Sequence, residues 1–287
     1  MGDLVKKTFA GSVAIIGPGR LGQALGRLLA QSGVPIAYVV ARRAARARQA
    51  VRFIGRGEPL ELANPKIRSA SVFLLTVSDS ALAEIAKELA RQGSGKDSWR
   101  AKVVLHTCGS LPSSILRPLK LRGAAIGSLH PYQTVPSPQA GVRNLRGCFW
   151  GIEGDRRALQ VATSWVKLLE GVAFQVSPKE KTLYHLSAFL VCPTVVTLME
   201  QSACLLGKAG VPPRIARPML RQFVAETAKN FAEAGARGAL TGPAVRGDWT
   251  TIRRHLSALK RAAPEFVPVY QTLLRAMLQL VGQKAKG

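Results

Sequence analysis

The chain has 287 residues, 47% of them hydrophobic, and carries 41 Lys and Arg against 16 Asp and Glu, a formal charge of +25. That apolar content excludes a disordered chain, and the length leaves room for one large or two ordinary domains with a core. The charge would suit a nucleic-acid partner. However, only 6% of residues are aromatic, the basic residues are spread along the chain, and no zinc-finger spacing, RNA-binding signature or basic heptad occurs, so an Arg-rich surface is favoured over a nucleic-acid binder.

Val13-Ala14-Ile15-Ile16 reads as a buried strand running into Gly17-Pro18-Gly19-Arg20-Leu21-Gly22 and the opening of a helix. Gly17, Gly19 and Gly22 have the G-x-G-x-x-G spacing of a dinucleotide fingerprint. The first glycine permits the tight turn, the second lets a pyrophosphate approach the backbone, and the third allows close helix–strand packing; the helix N-terminus supplies N–H groups for the anion. Gly33 and Pro35 stop the helix, and Ile36 to Val40 completes a βαβ unit of about 30 residues, the context that the fingerprint requires.

The end of this second strand selects the cofactor. An NAD site places Asp or Glu there to accept the ribose 2′-OH. Here the strand ends in Ala41-Arg42-Arg43, and no acidic residue occurs between Asp3 and Glu58. Two guanidiniums can meet a 2′-phosphate bidentately, so NADP (NADPH) is expected over NAD. Arg42 and Arg43 could equally begin a basic helix with Arg46, Arg48 and Arg52.

Ala70 to Val77 reads as the next strand, with Ser78-Asp79-Ser80 capping a helix from Ala81 to Arg91, and Val103 to Thr107 as another. Ligands of an open parallel sheet bind beyond the carboxyl ends of its strands, where Val77, Ser78, His106, Thr107 and Gly109 fall. His106 is either a cofactor contact or a structural histidine, and Asp79 is read as an N-cap rather than an acid. Ala124 to Leu129 is a further strand ending in His130, and stretches at 148–152 and 172–176 extend the sheet around a helix at 155–169.

From Ser177 the pattern becomes helical. Ser177-Pro178-Lys179-Glu180 has the form of a capping box, and the helix it starts, running to Ala209, is expected to be a buried spine facing the cofactor cleft. Helices follow at 218–234, 248–261 and 264–281. The predicted fold is α/β: a Rossmann-type parallel sheet with helices on both faces over 1–176, then an all-α domain over 177–287. His185 on the long helix is a packed core residue or a general acid. Arg246, beside the helix that Asp248 would cap, either holds a substrate carboxylate or pairs with Asp248.

No uncharged apolar run of the roughly 18 residues needed for a membrane helix is expected, and Met1 to Ser12 lacks the apolar core of a signal peptide. Cys108, Cys148, Cys192 and Cys204 form no C-x-x-C pair, so reduced thiols, no metal site and a cytoplasmic location are expected.

Several runs carry a resemblance: Gly17 to Gly22, His106-Thr107-Cys108-Gly109, His130-Pro131, Tyr184-His185, Leu240-Thr241-Gly242-Pro243 through Arg246-Gly247-Asp248, and His255-Leu256. In these the chain resembles a family of NAD(P)-dependent oxidoreductases that join a Rossmann-like domain to a helical domain of unknown function. The family lies in the 6-phosphogluconate dehydrogenase-like superfamily, beside ketopantoate and pyrroline-5-carboxylate reductases. The resemblance implies NADP(H) in the first domain, catalysis beneath the helices and a homodimer built through them. Some relatives place a catalytic Lys on the central helix; Lys179 and Lys181 sit too near its start for that role, so His185 is the first choice for general acid and His130 the second. Thr241 and Arg246, with Asp248, would hold the substrate carboxylate. The reading is hydride transfer to a small 2-oxo acid such as ketopantoate, with an imine or pyrroline carboxylate as the second substrate class. A non-catalytic NADP-binding regulator and a basic nucleic-acid binder are the readings from other classes.

Overall fold

A computed structural model describes residues 11–93 and 95–282. The stretch 1–10, part of the N-terminal segment read above, and Ser94 lie outside the described residues. Eight strands form one sheet: β1 (Val13–Ile16), β2 (Ile36–Val40), β3 (Glu58–Leu60), β4 (Val72–Leu75), β5 (Val103–His106), β6 (Ala125–Pro131), β7 (Phe149–Gly154) and β8 (Val172–Gln175), in the order β3-β2-β1-β4-β5-β6-β7-β8. The order reverses direction at β1 and β4, the point where doubly wound sheets open a crevice.

The central strands are apolar on both faces because both faces are covered. Val13, Ile15, Val72 and Leu74 point into one layer, packed under helix α1 (Arg20–Gln31) through Leu25, Leu28 and Leu29; Trp165 and Val166 belong to the same layer. Ala14, Ile16, Phe73 and Leu75 point into the other, against α3 (Asp79–Arg91, after α2, Ala44–Ile54) through Leu82, Ala86 and Leu89. Each leucine sealed this way contributes about 1.5–3 kcal/mol.

Three expectations about this half need correction. The sheet is not wholly parallel: β6 and β7 are antiparallel, because the link through α4 (Pro138–Asn144) returns the chain beside β6, where the Tyr132 N–H donates to the Phe149 carbonyl at 2.8 Å. Ser177 makes no side-chain cap; Pro178–Glu180 is a 3₁₀ turn that leads into the long helix. Asp79 is the first residue of α3 rather than its cap, and its Oδ2 accepts from the Ser110 hydroxyl at 3.0 Å.

After α5 (Arg156–Leu168) and β8 comes α6 (Lys181–Lys208), which passes through Pro193. The buried-spine expectation fails for it: Lys181 is its only buried residue, while Leu183, Leu186, Phe189, Leu190 and Val196 are exposed. The stretch Pro178–Lys208 is long and apolar enough to cross a membrane by length and composition, which also corrects the expectation that no such run exists. Thr182 to Met199 carries no Lys, Arg, Asp or Glu.

The chain divides into two compact units, residues 1–189 and 190–287. The second holds the rest of α6, then α7 (Pro213–Ala239), α8 (Trp249–Ala262) and α9 (Val267–Leu280). α7 begins five residues earlier than its sequence reading. Gly235 does interrupt it, at φ 65° and ψ −177°, but the helix resumes and runs on to Ala239.

Candidate active site

A cavity of about 560 Å³ opens at the carboxyl ends of β1, β2 and β4. Its floor is Gly17, Pro18 and Gly19, and its walls include Arg42, Arg43, Arg46, Thr76, Val77 and Ser78. Gly17 sits at φ +77°, and a Cβ there would lie 2.3 Å from Val77 Cγ1 and 3.2 Å from the Val77 backbone, so only glycine makes this turn without strain. The turn is tied at both sides: Gly17 N–H donates to the Val40 carbonyl at 2.9 Å, and Thr76 Oγ1 donates to the Gly17 carbonyl at 2.7 Å. A Cβ on Gly22 would come within 2.2 Å of that same Thr76 oxygen. Gly19 differs. Its nearest neighbour to a built Cβ is 3.9 Å away, so the protein itself leaves that side open, as close approach of a ligand to the backbone requires.

Gly19 is also the N-cap of α1 and offers no side-chain cap, and the first turn carries no acid, so the cavity meets uncapped N–H groups. No Asp or Glu lines the cavity, and three guanidiniums do. Arg46 was read from sequence only as part of a basic helix; it lies in the first turn of α2, whose N-cap is Arg43, and both line the cavity. These residues fit a dinucleotide with an extra phosphate. Arg20 turns away, donating to the Pro136 carbonyl at 3.3 Å, and Leu21 and Gly22 lie behind the floor without lining it.

His106, Thr107 and Gly109 are not in this cavity's lining but at the end of the next strand, β5, where they join a second constellation. In register across three strands stand His106 of β5, Ser128 of β6 and Glu153 of β7, and one step beyond, His130 faces Gly151. Paired residues in register share a sheet face. This polar row is sealed: His106 and Ser128 are fully buried and Glu153 is 5% exposed. Onto it comes Lys181, 1% exposed, its Nζ donating to the Cys108 carbonyl at 3.0 Å and to Ser128 Oγ, and standing 3.9 Å from Glu153 Oε1. The other demands of Glu153 are met by Ser113, whose N–H and hydroxyl donate to its two oxygens at 2.5 and 2.8 Å.

One turn along α6, Tyr184 lies on Gly151, where a Cβ would sit 2.7 Å from the phenol oxygen, and that oxygen is 2.9 Å from His130 Nδ1. His185 stands beside them. A Cβ on Gly109 would be 2.7 Å from His130 Nε2 and 2.7 Å from His185 Cδ2, and the two imidazole centroids are 5.9 Å apart. Gly109 is thus the floor over which two of the four histidines converge. Sequence reasoning selected the histidines and the glycine but passed over Lys181, Glu153, Ser128 and Tyr184 as site members. The available signals were a lysine at the head of an apolar helix and single polar residues inside otherwise apolar strands.

Electrostatics divide the imidazoles. Burial, and after it the Lys181 ammonium, lowers His106 and His130 to about 3. Both are therefore neutral at physiological pH. The His106 Nδ1 accepts from the Cys108 N–H at 3.1 Å, so its proton is assigned to Nε2, on the side where the Pro112 backbone favours the protonated ring. Burial also raises the Tyr184 phenol, keeping it a hydrogen-bonding hydroxyl. Among the described residues, no group of three or more His, Cys, Asp or Glu is arranged to hold a metal ion.

In the second unit, Gly242 at φ +98° and Gly247 at φ +66° bracket the single turn Pro243–Arg246. Asp248 caps α8: its Oδ1 accepts from the Thr251 N–H at 3.0 Å and its Oδ2 from the Thr251 hydroxyl at 2.7 Å, bonds that lower its carboxyl below the usual value. No salt bridge joins Arg246 to Asp248 among the described residues, although after the Thr251 bonds the Arg246 charge also lowers the Asp248 carboxyl. Thr241 and Arg246 are both exposed.

The model of a Rossmann-like domain matches residues 4–131, and that of a domain of unknown function, DUF2520, matches 148–277. No curated protein sequence matches the chain. Among solved structures the chain is similar to protein BF3122 of Bacteroides fragilis, named as a candidate NADP oxidoreductase, at 24% identity and TM-score 0.73, covering 94% of this chain and 98% of that one. It is similar to protein TM1727 of Thermotoga maritima at 21% identity and TM-score 0.72, with the same coverage. It is also similar to a pyrroline carboxylate reductase of Plasmodium falciparum solved with NADP bound, at 12% identity and TM-score 0.60, over 95% and 97% of the two chains. At these identities the likeness establishes the fold. The chain joins a Rossmann-like domain to a DUF2520 domain.

Proposed function

We propose that the protein is an NADP(H)-dependent oxidoreductase that delivers hydride to the carbonyl carbon of a small carboxylate, a 2-oxo acid such as ketopantoate being the first choice. The observation that carries this reading is the glycine-floored cavity, open at Gly19, walled by Arg42, Arg43 and Arg46 and free of acidic lining. The dinucleotide, when bound, supplies the hydride. Gly17 to Gly19 and the N-terminus of α1 receive its pyrophosphate, the arginines its 2′-phosphate, and Val77 and Ser78 border the path toward β5. NAD is the less favoured cofactor for want of an acidic ribose partner.

The protein's own task is to orient the substrate and deliver one proton. His185 is the general acid: it is half-buried beside Gly109, and no hydrogen bond ties its ring among the described residues. His130, at about 3, carries no acidic proton to give at neutral pH and serves instead as a neutral hydrogen-bonding wall braced by Tyr184. Arg246 and Thr241, both exposed, are assigned to the substrate carboxylate, and Asp248 holds that turn by capping α8. The exposed apolar residues of α6 and of α7, such as Leu190, Phe223 and Phe231, are covered by a second copy in a homodimer. The protein works in the cytoplasm, with its four cysteines free.

A second reading, reduction of the C=N bond of a cyclic imine carboxylate, is favoured by the likeness to a pyrroline carboxylate reductase. The test is NADPH oxidation, followed by absorbance, across a panel of 2-oxo acids and cyclic imine carboxylates. Consumption with a member of the first set supports the first reading, and consumption only with the second supports the other. NADPH binding with no consumption across a broad panel would point to a cofactor-binding regulator instead.

A further inference from the structure

The Lys181–Glu153 pair is the least expected feature of the molecule. A lysine head group is almost never fully buried unless paired, and taking two opposite charges out of water is costly even when they meet. A purely structural need would be met as well by two apolar side chains of similar volume. Here the chain instead spends five groups on the lysine: Glu153, Ser128 and the Cys108 carbonyl around the ammonium, and the Ser113 N–H and hydroxyl behind Glu153.

What the lysine adjoins gives the arrangement a purpose. Cys108 is the residue before Gly109, the floor beneath His130 and His185. Ser128 is two residues before His130 on the same strand and so on the same face. Lys181 itself is three residues before Tyr184 and four before His185 on α6, one helical turn below both. One ammonium therefore ties together the β5 loop, strand β6 and the first turn of α6, the three segments that bring Gly109, His130 and His185 to one place.

We infer that Lys181 is a positioning residue of the candidate active site: anchored by Glu153, Ser128 and the Cys108 carbonyl, it locks α6 onto the sheet so that His185 and Tyr184 stand over Gly109, and it sets a fixed positive charge behind His130. This rests on the reading of His185 and His130 as the reacting site. The groups facing that charge are Glu153 on β7, His130 on β6, His106 and Cys108 at the end of β5, and Asp79 on α3, with Tyr184 and His185 one turn further along its own helix. Among them Glu153 answers the charge directly, while for His106 and His130 the ammonium adds to the burial that already keeps them neutral. Lys181 thus acts through its neighbours and touches no substrate.

The test uses the full chain with isotope-labelled histidine, whose four imidazoles can be followed by NMR through a pH titration. Removing Lys181 alone would strand a buried carboxylate, so the informative variant pairs Lys181→Met with Glu153→Gln and leaves no uncompensated charge. In the parent protein His130 stays neutral down to about pH 4. In the folded double variant its titration moves up, and turnover with an accepted substrate falls at least tenfold, while NADPH affinity changes less than threefold, because none of the hydrogen-bond or ion-pair partners of Lys181 lines the cofactor cavity. Lys181→Gln with Glu153→Gln keeps hydrogen-bonding groups in the pocket and gives the same readout if the methionine variant does not fold. Unchanged His130 titration, or unchanged turnover, in a folded double variant would overturn the inference. His185→Ala is the separate control: full turnover there would remove the acid assignment, while the His130 titration would still report on Lys181.

Discussion

The glycine cavity and the histidine–lysine cluster sit at the ends of neighbouring strands, yet they are built in opposite ways. The cavity is made of backbone: Gly17 and Gly22 are where they are because a Cβ would strike Val77 or Thr76, and its ligand groups are N–H donors and exposed guanidiniums. The cluster is made of side chains that are buried and mutually dependent: Lys181, Glu153, Ser128 and His106 each satisfy or perturb another. A backbone cradle tolerates solvent and needs only local geometry. A buried polar network works only when every member is present, which makes it the more fragile half and the half better suited to set proton positions.

Substitution and pH should separate the two. The largest effect is expected from His185→Ala, which should lower turnover by roughly 10²–10⁴ and leave NADPH affinity unchanged; steady-state kinetics beside a cofactor titration checks both halves. Next comes acid. His106 and His130 both bind protons more weakly folded, at about 3, than unfolded, at about 6.5. Below pH 6.5 the unfolded chain takes up protons that the folded one refuses, so stability is full above that pH and falls as pH drops toward 3, by roughly 3 kcal/mol per histidine at pH 4. A series of thermal melts should show that loss, and replacing His106 by Gln should make it shallower. Gly17→Ala does the reverse of His185→Ala. It forces a positive φ and a clash with Val77, should destabilise by about 1–3 kcal/mol, and should weaken NADPH binding while the His130 titration stays as it was.

The same contrast explains what the sequence disclosed. Gly17, Gly19, Gly22, Arg42 and Arg43 lie within one βαβ unit, so their spacing already encodes the geometry, and the strands β1, β2, β4 and β5 announce themselves as apolar runs because both faces are covered. The cluster draws on residues 106 to 185, and its register across β5, β6 and β7 is set by the antiparallel return of β7, which no local pattern signals. Lys181 looked too close to the start of its helix to matter. It is the one buried position of that helix, and beyond it the helix expected to be a buried spine alternates between exposed and half-buried residues. Capping residues misled in a milder way: Ser177 and Asp79 had the right types in the right places, but a 3₁₀ turn and a bond from Ser110 took the bonds assigned to them.

The central claim, that the basic cavity takes NADPH, is met most directly by calorimetric titration of the intact protein with NADPH and with NADH. The account predicts tighter binding of NADPH, with the preference lowered about tenfold or more when Arg42 and Arg43 are both replaced by alanine, since each charge-assisted bond to the 2′-phosphate is worth about 1.5–3 kcal/mol. Equal affinity for the two dinucleotides in the parent protein, or no binding of either, would contradict it.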